Sequence, residues 1–303
     1  MKRLVTAGAM AFLSACGSGG GGTNTPMITT VPFSSFSAIQ ANQAVTFSGG
    51  MSEVVTGTIS GTGVTPGIIN LDTTSTTGTL TYGTNRALSA VSVVTPSASI
   101  SFSRTGAGNS FNCTSGVCGL TSTNATAIVI DPTTSPLGWN YQTFGVWNRA
   151  TSLTSFDAGV FSFGSPTPAT ALPTTGTATF NGLANGFFVD STHTAFFTTA
   201  QMTANVIWST TAPTITFSTT NTTVVGITAP SSIGTSNSGL NLNAAIAYPA
   251  GTNAFSGTVT SNNGMTGTLT GRYFGPNAEE VGGLYNLSNP AVGTMMGGFG
   301  GKR

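Results

Sequence analysis

Apolar and polar residues alternate with a period of two over most of the chain. Ala44-Val45-Thr46-Phe47, the run from Glu53 to Ile59, and Thr79-Leu80-Thr81-Tyr82 follow this pattern. So do Ser99-Ile100-Ser101-Phe102 and Ala127-Ile128-Val129-Ile130. Successive side chains of a strand point to opposite faces, so the alternation predicts strands with one buried face. Thr fills many of the polar positions, where its branched Cβ suits a pleated surface. Clusters of Gly, Asn, Pro and Ser part these segments at turn-like spacing. No stretch of good helix formers keeps a 3.6-residue period for three turns. The predicted fold class is all-β.

Pro166, Pro168 and Pro173 interrupt the pattern. Proline has no N–H for sheet pairing, so this stretch predicts an extended connector between two domains, 27–165 and 166–303. The second domain offers segments at 176–182, 195–208, 214–217, 240–247, 255–260, 264–274, 280–287 and 292–299. Eight strands joined by short turns predict an up-and-down antiparallel barrel whose interior is filled by side chains. Thr and Asn intrude too often for the continuous apolar outer band of a membrane-spanning barrel.

Lys2 and Arg3 precede an apolar stretch from Leu4 to Leu13, about half of what a bilayer span requires. It ends in Leu13-Ser14-Ala15-Cys16, which resembles the lipobox of bacterial lipoproteins. On that reading residues 1–15 are a signal peptide, Cys16 takes the diacylglycerol, and the Gly-rich residues 16–26 are a tether. Gly17, rather than Asp, follows the cysteine, which in the enterobacterial sorting scheme favours the outer membrane. The expected location is a lipid anchor in the outer membrane, at the cell surface of a Gram-negative bacterium.

Charge narrows the function. Eight Lys+Arg, seven Asp+Glu and one His make the chain 5% charged, against about 25% for an ordinary soluble domain. Nucleic acid is excluded as a partner, because phosphate neutralisation needs many bases on one face. A mean hydropathy of +0.21 argues against disorder. With so few groups to cluster, no catalytic residue, metal site or cofactor is expected, and the chain reads as a non-enzyme. Glu279 and Glu280 stand side by side, whereas a glycosidase pair must face one bond. Neighbours on a strand face opposite ways, so these acids read as structural, pairing with Arg272 or binding turn amides. His193, the single His, reads as a solvated loop residue. Cys113 and Cys118 frame a tight Ser-Gly loop that a disulfide would close in an oxidising compartment; no second Cys pair or His stands nearby for metal or redox work. Trp139, Trp147 and Trp208 read as core fillers, and Met295-Met296 as barrel packing. Lys2 and Arg3 belong to the signal, leaving six bases against seven acids, or −1.

Residues Gly271 to Tyr285 (GRYFGPNAEEVGGLY), with Gly297-Gly298-Phe299-Gly300-Gly301-Lys302-Arg303, resemble the closing hairpin of the transferrin-binding protein B barrel domain. The motif residues are Gly275, Pro276, Ala278, Glu279, Glu280, Gly282 and Gly283. Phe144-Gly145-Val146-Trp147, Phe161 to Gly164 and Pro168 to Gly182 are similar to the lead-in to the same barrel. The resemblance implies a β-rich handle domain over 27–165 and an eight-stranded barrel over 166–303. It implies a surface lipoprotein that captures a solute or protein ligand through its loops, an iron carrier or haem among them, and serves an outer-membrane transporter. His193 is the candidate haem ligand on that view. The bilobed members use two handle–barrel lobes to hold transferrin, and this chain has length for one, without charged loops to steer a partner. The alternative is a structural or adhesive surface lipoprotein with an uncharged coat. An aromatic-walled pocket among the barrel loops would favour the first reading, and short smooth loops the second.

Overall fold

The computed structural model describes residues 27–61, 63–134, 136–227 and 234–303; the signal peptide, Cys16 and the tether lie outside them. The alternating segments form strands. Ten build a first sheet: β1 (Thr29–Pro32), β2 (Gln43–Ser60), β3 (Gly63–Tyr82), β4 (Leu88–Val94), β5 (Ser99–Ser103), β6 (Ser110–Thr114), β7 (Val117–Thr121), β8 (Ala125–Ile130), β9 (Gln142–Ala150) and β10 (Ser155–Gly164). Their order is β5-β4-β3-β2-β10-β9-β8-β7-β6, antiparallel throughout, with β1 laid parallel on the start of β2. From Ser99 to Phe102, β5 reads exposed, buried, exposed, buried.

The sheet curls around its buried face without closing. Phe47, Leu80, Phe102, Leu120, Trp147 and Phe161 fill the concavity. Arg104, just after β5, lies 5.1 Å over the Phe111 ring of β6 and donates to its carbonyl. The two edge strands do not pair. Instead the Ser99 carbonyl accepts Nη1 of Arg149 at 2.6 Å, and the Ser103 carbonyl accepts Nδ2 of Asn109 at 2.7 Å. Side chains occupying edge carbonyls leave less for a foreign strand to pair with.

The second sheet comprises β11 (Gly176–Asp190), β12 (Ala195–Trp208), β13 (Thr214–Gly226), the short β14 (Thr235–Ser236), β15 (Leu242–Ala247), β16 (Ala254–Ser261), β17 (Thr266–Phe274), β18 (Glu280–Asn289) and β19 (Gly293–Lys302). Pairing runs β12-β11-β19-β18-β17-β16-β15-β13, and β13 returns to β12. This is a closed antiparallel barrel of eight strands, as the alternation predicts. Boundaries shift: β11 runs on from the expected 176–182 to Asp190 and β13 from 214–217 to Gly226, Ser238–Leu240 is a 3-10 turn ahead of β15, and Gly264 sits in a turn at φ +88° ahead of β17.

Period two sorts the barrel's faces. Phe180, Ala184 and Phe188 of β11 point inward, while Phe187 and Val189 point outward. Tyr273 fills the interior against Trp208 at 4.7 Å, Phe255 at 5.5 Å and Phe180 at 6.0 Å, and its hydroxyl pairs with that of Tyr248 at 2.8 Å. Such tilted aromatic contacts add to area burial. The three tryptophans are buried, Trp139 and Trp147 with the first sheet and Trp208 in the barrel. The two methionines divide: Met295 enters the barrel core, whereas Met296 faces out.

What Met296 meets is the first sheet, which lies against the barrel's outer wall. Met51, Val55, Val146 and Val160 of the sheet pack on Phe187, Phe197, Leu284 and Met296 of the barrel. A connector leads from one to the other, with Pro166 bridged to Phe274 and the Thr167 N–H donating to the Tyr273 carbonyl at 2.9 Å.

Candidate functional site: the closing hairpin and the seam

The motif turn between β17 and β18 is built on two left-handed residues, Gly275 at φ +88° and Ala278 at φ +59°. Gly275 is required there, since a Cβ would also lie 2.6 Å from the Tyr141 ring. Its N–H donates to the Ser165 carbonyl at 2.9 Å, and its own carbonyl accepts Oγ1 of Thr167 at 2.6 Å. Pro276 is exposed at the tip, and the small Ala278 is fully buried.

The adjacent acids diverge, Glu279 lying in the turn's exit just before β18 and Glu280 opening the strand. Glu279 accepts the N–H of Asn277 at 2.8 Å and its Nδ2 at 3.0 Å. Partial burial opposes ionisation, but these bonds and nearby Arg303 hold its pKa below the ordinary value. Glu280 leaves the outer face of β18 and is buried against the first sheet. Its two oxygens accept the backbone N–H groups of Asn140 and, at 3.0 Å, Tyr141. Burial lifts its pKa to about 7, against the pull of those amides and of Lys302. Of the two partners expected for these acids, amides are the ones used. Arg272 pairs with neither, reaching across the seam to the carbonyls of Thr73 at 2.7 Å and Gly49 at 3.3 Å.

The motif glycines let other groups in. At Gly283 a Cβ would stand 2.1 Å from the Thr270 carbonyl oxygen and 2.8 Å from the Phe299 ring, inside the barrel wall. At Gly282 and Gly300 it would meet the Gln142 side chain at 2.6 and 2.2 Å, and at Gly298 the Phe144 ring at 2.9 Å. Missing side chains on the outer face of β18 and β19 thus receive β9 of the first sheet.

Sequence reasoning missed Glu53. It occupies a polar slot in the alternating segment of β2, but Met51 to Val55 are all buried because β2 is covered on both faces. Oε1 accepts Nδ2 of Asn286 at 2.6 Å, and Oε2 has no hydrogen-bond partner. Burial pushes the pKa to about 7, with the Asn286 bond working the other way. The available signal was an acid flanked by Met51 and Val54-Val55 in a chain with seven acids.

His193 lies at the other end of the barrel, exposed in the β11–β12 turn at φ +68°. Its carbonyl accepts the Val64 N–H at 2.8 Å, and Nδ1 is 3.3 Å from Oγ1 of Thr65. The cleft of about 370 Å³ beside it is lined by Thr65, Pro66, Asp190, Asn289 and Pro290 among others, without an aromatic wall. Cys113 and Cys118 face each other across the β6–β7 hairpin and are disulfide-bonded, with Cα atoms 4.0 Å apart. Ser115 and Gly116 make the two-residue turn, both at positive φ, in the manner of type I′. Among the described residues no three His, Cys, Asp or Glu gather as a metal group. A cleft of about 400 Å³ with an apolar floor of Ile59, Val64, Phe156, Phe187 and Ile227 lies between sheet and barrel rather than among the barrel loops.

Residues 172–303 match the family described as C-lobe and N-lobe β-barrels of Tf-binding protein B. The barrel resembles that family. Solved structures with a similar fold include transferrin-binding protein B from Haemophilus parasuis (12% identity, TM-score 0.42) and from serogroup B Neisseria meningitidis (14%, 0.41). These alignments cover 75% and 76% of this chain and 51% of each of those, so the chain spans about half their length. A protein described as surface lipoprotein aligns at 14% identity and a TM-score of 0.39 over 83% of this chain and 98% of its own. No curated protein matches the sequence. Within this chain Gly275, Glu280, Gly282 and Gly283 of the closing hairpin hold the last turn, the barrel wall and the first sheet together.

Proposed function

We propose that the chain is a lipid-anchored outer-membrane binding protein, with a handle-like sheet over 27–165 and a barrel over 166–303, that holds a protein ligand through its loops at the cell surface. The observation that carries this reading is the barrel of a binding-protein family in a chain whose Cys16 stands in a lipobox. A protein, such as an iron carrier, suits this barrel better than haem or a small solute, because Phe180, Trp208, Phe255 and Tyr273 fill its interior. His193 remains the group to test for haem. An outer-membrane transporter is the partner to which such a protein would deliver. The reading assigns the chain no catalysis.

A second reading, a structural or adhesive coat protein, is favoured by the short polar turns at the barrel ends, such as Asp190–Thr194 and Ser261–Met265. Protease treatment of intact cells and a titration of the full chain against host or environmental proteins and haem separate the two. Surface cleavage with one saturable protein partner supports capture. Surface cleavage with no partner, plus a weakened envelope on deletion, supports the coat. Protection of the chain in intact cells refutes surface exposure.

A further inference from the structure

The chain's few charges are distributed unevenly. Of the six bases beyond residue 26, Arg86, Arg104, Lys302 and Arg303 are exposed, and hydrogen bonds place them at one end of the molecule. Arg86 Nη2 donates to the Phe36 carbonyl at 3.4 Å, and the Phe36 N–H donates to Asn140 at 2.8 Å. Lys302 Nζ donates to the Gly138 carbonyl at 2.7 Å, two residues away, and Arg303 to Asn277 at 2.8 Å. Arg104 donates to the Leu88 carbonyl at 3.1 Å, two residues beyond Arg86. The acids at this end are muted. Glu280 and Asp131 are buried, leaving half-buried Glu279 beside Arg303. Arg272 is spent on carbonyls in the seam, and Arg149 pairs with Asp157 at 2.6 Å. Asp72 and Asp190 are the part-exposed acids elsewhere.

The described chain also begins at this end. Thr29 bonds Asn42, Asn42 bonds Gly83, and Arg86 bonds Gly83. Met27 (89% exposed) and Ile28 project beside them. Residues 16–26 number eleven and reach at most about 40 Å when fully extended.

We infer that the end bearing Arg86, Arg104, Lys302 and Arg303 faces an anionic lipid surface, and that it orients the protein upright on the membrane holding Cys16. This rests on the lipid-anchor reading proposed above. Each base near an anionic leaflet contributes about fivefold to partitioning, and the attraction falls off within a Debye length. The ligand-holding loops would then be those at the opposite end, about 50 Å away along β2, where Leu153 stands almost fully exposed.

The test uses the full acylated chain in vesicles carrying an acceptor dye on the headgroup. Cys113 and Cys118 are bonded and Cys16 is acylated, so Ala38→Cys at the basic end and Leu153→Cys at the far end each supply one labelling site. In phosphatidylglycerol-containing vesicles, energy transfer is expected to be strong from position 38 and weak from 153. Roughly 0.5 M salt, or R86Q/R104Q/K302Q/R303Q together, should reduce that contrast to its level in phosphatidylcholine vesicles. Equal transfer from both positions, or a contrast untouched by salt and by the four substitutions, overturns the inference. Fatty-acid labelling of the chain and of Cys16→Ser reads the anchor separately. If Cys16 takes no lipid, sedimentation of the unacylated full chain with phosphatidylglycerol vesicles decides the matter. A loss of roughly five hundredfold on removing the four charges sustains the lipid-facing end, and no loss overturns it.

Discussion

The barrel and the curled sheet are written in one vocabulary of Thr, Ser, Gly and alternating apolar residues, yet they treat their edges differently. The barrel has none among its eight strands, because β19 pairs with both β11 and β18 and β12 pairs with β13. The sheet stops short, and spends Arg149, Asn109 and a disulfide on its outer strands. Closure demands that interior volume match strand number. Tyr273 and its aromatic neighbours meet that demand, and inward glycines such as Gly283 and Gly297 make room for them. An open sheet escapes the constraint but must protect what it leaves unpaired.

The largest expected break in this comparison is Phe299→Ala. Phe299 is fully buried inside the barrel, 4.8 Å from Phe217, and its truncation should cost about 3–5 kcal/mol in chemical denaturation. Hydrogen exchange should show β17–β19 losing protection while β4 and β5 keep theirs. Equal loss in both would mean that the two regions unfold as one unit.

The seam adds a pH dependence. Glu53 and Glu280 have folded pKa values of about 7 against 4.5 when solvated, so between these values the folded state holds protons that the unfolded state has released. Stability from these groups is therefore greatest below pH 4.5 and falls as pH rises towards 7, by about 3 kcal/mol each. Asp72 and Glu279, with lowered pKa values, act oppositely, losing their contribution as pH falls through the acid range. Glu53→Gln should keep the Asn286 bond and raise stability at pH 8 by up to about 3 kcal/mol. Glu280→Gln should not, because a Gln NH₂ would face one of the two amides the carboxylate now accepts. Melting curves from pH 4.5 to 8 for both variants check this, and matching behaviour would contradict the assigned bonds.

Smaller effects belong to the sheet's edge. Replacing Cys113 and Cys118 with Ser should cost about 2 kcal/mol, since the loop they close is short. The loss should appear in β6–β8 exchange and leave the barrel unchanged. Arg149→Gln should cost no more than about 1 kcal/mol in equilibrium unfolding. By freeing the Ser99 carbonyl it should promote association at high concentration, read by light scattering; scattering unchanged from the parent chain would mean that Arg149 does not guard the edge.

The strands and their number in the barrel were legible because they rest on local rules of period and of turn residues between segments. The seam was not. Glu53, Gln142 and Asn286 look like ordinary polar slots until a second sheet covers them, and no periodicity in β2 or β9 marks which outer face will be covered. Met296 shows the same limit, since alternation says that Met295 and Met296 part company but not what the outward one meets. The outward glycines Gly298 and Gly300 held a clue, as side chains missing from a strand's outer face imply a close neighbour.

The position of β19 also sets an order in time. The edges of β11 and β18 stay open until the last barrel strand arrives, and Asn181 of β11 must wait for Lys302 before its pairing is complete. A chain threaded across a membrane from its N-terminus would therefore emerge with its sheet strands free to pair early and its barrel unable to close until β19 is through. Non-local pairing of this kind folds slowly and leaves sticky intermediates. On the export route proposed above, those two edges must be kept from pairing with other chains until β19 arrives.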